Sequence, residues 1–129
     1  MIKVLLLFVM IFLHIVDDYY LQGILASMKQ KSWWEKNAPD ALYKHDYIMA
    51  LFMHSFSWAF MIMIAPVVYV LNSHIDFPIL GIILLFFVMN LYIHMITDDA
   101  KANRKKINLI QDQMIHLTQI FVTWFFVIV

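Results

Sequence analysis

Histidine and aspartate stand one helical turn apart at three places in this 129-residue chain: His14–Asp18, His94–Asp98 and, in reverse order, Asp112–His116. A spacing of four residues puts both members of each pair on one helix face. Gln22 continues the first stripe by another turn. Asn90 and Lys101 flank the second, Asn108 precedes the third, and a further histidine, His54, lies alone in another apolar run. Neutral imidazoles and carboxylates are ligands for zinc, manganese and iron. Helix bundles build di-metal sites from such i/i+3 and i/i+4 pairs on facing helices. In a membrane the same groups also relay protons.

The elements that must position these residues are four long apolar runs. Hydrophobic residues make up 64% of the chain, with only two glycines and three prolines, and the mean hydropathy is +0.77. This composition predicts an all-α, four-span transmembrane helix bundle. Residues 1–129 form one membrane domain, with spans at about 2–28, 47–71, 77–99 and 108–129. The first run has a lysine before a short apolar core, as in a signal peptide, but no A-x-A-like site follows and Asp17-Asp18 interrupts it, so it reads as a retained span. The connection at 29–46 carries Trp33-Trp34 for the membrane interface and Pro39 as a helix stop, with a short amphipathic helix around Ser32–Asn37. Pro66 is a tolerable kink, residues 72–76 form an exposed turn before Pro78, and Asn108 is an N-cap. His45 and His74 fall in connections and read as solvated. The absence of cysteine excludes disulfides, thiolate catalysis and Cys-type zinc sites. Nothing in the charge pattern points to nucleic acid; the partners expected are membrane lipids.

The basic residues orient the bundle. Lys29, Lys31, Lys36, Lys44, Lys101, Arg104, Lys105 and Lys106, eight of the nine Lys and Arg, fall in the two connections that share one side, against Lys3 on the other. The positive-inside rule makes that side cytoplasmic and both termini non-cytoplasmic. The Lys101–Lys106 cluster is first a topology signal and anchor, with lipid phosphate contact as the sharper alternative. With this orientation all the His/Asp pairs lie in the cytoplasmic half, His14 deepest. The outer half is nearly bare of polar residues, which fits a blind site opening to the cytoplasm better than a path across the membrane.

Asp17, Asp18, Asp98, Asp99 and Asp112 then lie at or near membrane depth, where an ionised aspartate costs about 2.5–3.5 kcal/mol at a helix centre. The compensating charge must be imidazolium, a bound cation or a proton on the acid. A divalent metal satisfies carboxylates and neutral imidazoles together. The expected ligands are His14, Asp18, His54, His94, Asp98, Asp112 and His116, with zinc first and manganese or iron as alternatives. Gln22, Gln113, Asp17 and Asp99 are expected to support them, the two acids being rotated by about 100° from their ligand neighbours. For His54 alone, a structural hydrogen bond weighs as much as ligation. The abundant Met and Phe residues read as lipid-facing and packing surface.

Together the motifs H-x3-D-x3-Q (His14, Asp18, Gln22), a second-span His54, H-x3-D-x2-K (His94, Asp98, Lys101) and D-Q-x2-H (Asp112, Gln113, His116) resemble the small bacterial and phage membrane proteins of domain-of-unknown-function family 3307. The pattern is also similar to that of membrane-bound metal-dependent hydrolases. The chain departs in doubling two acids, at Asp17 and Asp99, and in the MHSF context of His54. The resemblance implies a bacterial cytoplasmic membrane protein, or a phage-encoded one, hydrolysing a lipid or amphiphilic phosphate or ester. Asp112, or Asp18 from a doubled pair, would act as general base and Lys101 would bind phosphate. Two other classes stay open: a proton or divalent-cation relay, and a non-enzymatic protein whose polar layer specifies helix packing for a partner. The charge asymmetry itself predicts that a C-terminal reporter active only in the cytoplasm stays silent; a bright one would reverse the orientation.

Overall fold

The computed structural model describes residues 1–73 and 77–129, so the turn expected around His74 lies outside the described residues. Among the described residues all regular structure is helical. Helix α1 spans Ile2–Ile15 and continues as a π-helical turn over Val16–Leu21. Short helices α2 (Leu25–Met28) and α3 (Lys31–Asn37) follow, then the long helices α4 (Asp46–Leu71), α5 (Phe77–Ala102) and α6 (Leu109–Ile128).

Helix α4 is the hub, packing on α1, α5 and α6. Its small residues Ala50, Ser55, Ala59 and Ala65 are buried and let neighbouring backbones approach closely. Trp58, Ile62 and Met63 of α4 join Met10 of α1 and Ile120 and Ile128 of α6 in an apolar core. Pro66 is accommodated inside α4 without ending it. At one end of the bundle the termini are tied together. The Lys3 ammonium donates to the Val129 carbonyl at 3.2 Å, and the Trp124 indole donates to the Lys3 carbonyl at 2.6 Å. At the other end α6 starts in a reciprocal capping box, in which Asn108 and Gln111 each accept from the other's backbone N–H. The N-cap role expected for Asn108 is borne out.

Polarity is inverted relative to a water-soluble bundle. Phe8, Phe12, Phe60, Leu84, Phe121 and Phe126 point outward, while His14, Asp18, His54, Asn90, His94, Asp98, Asp112 and His116 are buried. Three stretches are long and apolar enough to cross a membrane: Ile2–Leu21, Ala41–Leu71 and Pro78–Ala102. Helix α6, the fourth expected span, has 20 residues but carries Gln111, Asp112, Gln113 and His116 in its first half, with Gln119 just beyond, and is not among the three.

The first span differs most from expectation. It does not run on to residue 28: Gly23 adopts φ +49°, a left-handed conformation that stops the helix. The π turn just before it closes with the Gln22 N–H bonded to the Asp17 carbonyl at 3.1 Å, and it brings the consecutive acids Asp17 and Asp18 inward together. Such single π turns recur at functional sites. Replacing Gly23 by alanine should cost about 1–2 kcal/mol, because a side chain there must hold the left-handed conformation. Gly81 sits inside α5 with open space around it, so Gly81→Ala should be neutral or stabilising. Thermal unfolding of the two variants in detergent checks this contrast.

Candidate metal centre

All four long helices deliver polar side chains to one buried layer. Asp17 and Asp18 come from the π turn of α1, His54 from α4, His94 and Asp98 from α5, and Asp112 and His116 from α6. His54 Nε2 sits at its middle, 3.2 Å from Asp18 Oδ1, 3.2 Å from His94 Nε2 and 3.4 Å from Asp98 Oδ2, and His94 Nε2 lies 3.8 Å from Asp98 Oδ2. A tetrahedral ion with bonds of about 2.0–2.2 Å needs ligand-to-ligand edges of about 3.3–3.6 Å. The separations, 3.2–3.8 Å, bracket that range. Among the described residues, two sets of ligand atoms lie within 4.8 Å of one another: Asp18, His54 and His94, and His94, Asp98 and His116.

The surroundings fix how each imidazole presents itself. Gln119 commits its amide nitrogen to the Asn90 carbonyl at 3.1 Å and to Asn90 Oδ1 at 3.2 Å. Its Oε1 can then only accept from His116 Nδ1, at 3.2 Å. The lone pair of His116 is thereby placed on Nε2, 3.4 Å from Asp112 Oδ1 and 3.6 Å from Asp98 Oδ1. The His94 ring packs against both Trp58 and His116, with ring centroids 4.3 Å and 4.1 Å away, and those two rings also approach each other to 5.3 Å. Behind His54, Nδ1 faces Asp17 Oδ2 at 3.9 Å, and the other Asp17 oxygen accepts from Ser57 at 2.6 Å. At that distance the Nδ1 and Oδ2 atoms are not hydrogen-bonded, and neither has another protein partner.

His14 is placed differently from the ligand expected. Its Nδ1 accepts from the Trp58 indole at 2.7 Å, which leaves Nε2 to donate to Gln113 Oε1 at 3.0 Å. With both nitrogens engaged, His14 orients Gln113, whose amide donates to Asp18 Oδ2 at 2.9 Å and to Asp112 Oδ2 at 3.2 Å. Gln22 donates to the Asp18 carbonyl and accepts from Lys29 at 3.1 Å. Asp99 points away from the ligands. It accepts from Arg104 at 2.6 Å and from Asn103 at 2.9 Å, and Asn103 in turn donates to the Lys29 carbonyl. Lys101, expected to take a phosphate, is engaged with Asp112 Oδ2 at 2.5 Å.

Three participants are missing from the sequence-based set. Lys29, counted only as a loop lysine, turns into the layer and bonds Asp98 Oδ2 at 2.6 Å while only 6% exposed. No pattern signals it, because Gly23 and α2 fold it back. Trp58 and Gln119 did carry a signal: they follow His54 by four residues and His116 by three, and so continue those stripes.

Four buried carboxylates, Asp17, Asp18, Asp98 and Asp112, face two ammonium groups, Lys29 and Lys101. With the acids ionised and the imidazoles neutral, the balance left is two negative charges, that of one divalent cation. Buried polar atoms without a protein partner cluster here, among them Asp98 Oδ1, Asp112 Oδ1, His116 Nε2 and the Nδ1 atoms of His54 and His94. In chemistry and spacing the residues fit a divalent ion.

The chain was compared with family models, curated proteins and solved structures. None matches.

Zinc titrations in detergent should separate the roles of the two outermost histidines. Gln119→Leu, which frees the His116 tautomer, should weaken metal binding by about 10–100-fold. His14→Gln should leave metal stoichiometry unchanged, which a ligand role for His14 would forbid.

Proposed function

We propose that the chain is an integral membrane protein of four spans, with both termini away from the cytoplasm, whose buried layer holds a catalytic divalent metal, zinc first, and hydrolyses a phosphoryl or acyl ester of a lipid or amphiphile at the cytoplasmic leaflet. The observation that carries it is the burial of two overlapping sets of ligand atoms within 4.8 Å of one another, Asp18 with His54 and His94, and His94 with Asp98 and His116. A cation bound there supplies Lewis acidity and a water of lowered pKa. The chain's own groups divide the remaining tasks. Gln113 holds Asp18, Trp58 packs on His94, Ser57 holds Asp17, and the two lysines offset half of the acids' charge.

The reaction class rests on the resemblance of the ordered His/Asp motifs to metal-dependent membrane hydrolases, and so does a bacterial or phage origin. The orientation is supported by the joining of Lys3 to Val129 at one end and of Lys29 and Lys31 to Asn103 at the other, which gathers the basic connections together. An ion path is disfavoured because Met10, Trp58, Ile62 and Met63, all buried and apolar, lie in the core beyond the layer.

Metal analysis of protein purified in detergent should find stoichiometric zinc or another first-row dication, lost in His94→Ala. Chelator should lower the thermal midpoint, and acidification should strip the metal, since these ligands bind only when deprotonated. The loaded protein should cleave at least one member of a panel of amphiphilic phosphate and carboxylate esters. Metal-free protein whose melting is indifferent to chelator would reject the reading and leave a hydrogen-bonded packing layer.

A further inference from the structure

Asp98 offers its two oxygens to different neighbours. Oδ2 faces His54 and His94, at 3.4 and 3.8 Å. Oδ1 faces the other way, 3.6 Å from His116 Nε2, and His116 Nε2 is in turn 3.4 Å from Asp112 Oδ1. These last three atoms, Asp98 Oδ1, Asp112 Oδ1 and His116 Nε2, are buried, lack any protein hydrogen-bond partner and belong to residues with 0% exposure. Lys101 stands 3.9 Å from Asp98 Oδ1 and bonds Asp112 through Oδ2, as Gln113 does, and Gln119 takes His116 through Nδ1. A neutral His116 with its proton on Nδ1 has none on Nε2 to give the two carboxylate oxygens 3.4 and 3.6 Å away, so the three acceptors do not stabilise one another.

We infer that the layer holds a second divalent cation, bound by Asp98 Oδ1, Asp112 Oδ1 and His116 Nε2, with the Asp98 carboxylate bridging it to the ion held by Asp18, His54 and His94. This rests on the metal reading above and deepens it, from a single ion to a dinuclear centre. It keeps Asp112 in the ligand role expected from the sequence and leaves the general-base role, also suggested for it, to another group. The helical origin fits the way bundles build such centres, from carboxylates and histidines one turn apart on facing helices. Here α5 and α6 each give one His and one Asp at i/i+4, on facing surfaces. Two close-set ions can stabilise both the entering and the leaving oxygen of a displacement at phosphorus. The fixed charges set an order of binding: the first ion neutralises the two uncompensated carboxylates, and the second adds positive charge to a balanced layer. The second ion is therefore the weaker.

Titration of the full chain in detergent with Mn(II) alone, followed by electron paramagnetic resonance, tests this. The expected result is two bound ions per chain, the second with at least tenfold lower affinity, and an exchange-coupled spectrum appearing only with the second equivalent. Asp112→Asn and His116→Gln should each bind one ion and give no coupled spectrum. A single uncoupled ion in the wild-type chain would overturn the dinuclear centre and leave the mononuclear reading standing, whereas no bound ion would overturn both. Two coupled ions in either variant would also overturn this ligand assignment. If a variant loses its helical circular dichroism, the wild-type count and coupling decide alone.

Discussion

The constraint on which this structure depends is the burial of four carboxylates inside an apolar helix bundle. An uncompensated charge at such depth shifts or disrupts the fold, so every nearby irregularity can be read as a response to it. The π turn brings Asp17 and Asp18 inward together, where a regular helix would separate them by about 100°. The left-handed Gly23 ends the helix so that α2 can bring Lys29 back onto Asp98. Asn103 then holds the Lys29 carbonyl and the Lys31 N–H against the end of α5. A lysine taken from the interface thus becomes a fixed counter-charge in the interior.

How much of this could be read in the sequence depends on whether a feature is periodic. The His/Asp stripes, the bounds of α4 and the start of α6 are local and repeat at helical spacing, so they could be located, and their convergence in one layer followed from matched depth. His54 lacked a pair and looked the weaker ligand, yet it lies at the centre of the layer because α4 packs on α1, α5 and α6. His14 had a complete motif and is nonetheless engaged through both nitrogens. What decides its role is Trp58, a residue 44 positions away, and no spacing rule connects them. Lys29 was hidden for a related reason: a single residue in a turn redirects it, and a hydropathy pattern is blind to the sign of one backbone dihedral. Asp99 shows the limit of adjacency. One residue beyond Asp98, it faces a surface arginine and acts on the layer only through Asn103.

The two faces of the layer differ. Toward the apolar core it is closed by Trp58, which stacks on His94 and donates to His14, so one side chain both seals the layer and fixes two imidazoles. Toward the basic connections it is bordered by flexible-chain cations, Lys29 and Lys101, and by the amides of Gln22 and Gln113. Rigid aromatic contacts on one side and exchangeable polar contacts on the other give the layer a direction.

Donor and acceptor counting explains why protein groups alone do not complete the layer. The carboxylates of Asp17, Asp18, Asp98 and Asp112 are acceptors throughout when ionised. Against them stand Lys29, Lys101, Ser57, Gln113 and one proton per neutral imidazole. Two of those imidazole protons are already directed away, from His14 to Gln113 and from His116 to Gln119. The remaining two, on His54 and His94, cannot serve both the carboxylates and their own contact at 3.2 Å. Each buried acceptor left over costs about 1–3 kcal/mol, which is large against the whole stability of a domain. Water could supply protons to these acceptors but no charge, and protonating the acids would forfeit the ion pairs with Lys29 and Lys101. A divalent cation answers both shortages at once, which is why the same residues that look surplus as a hydrogen-bond network look complete as a ligand set.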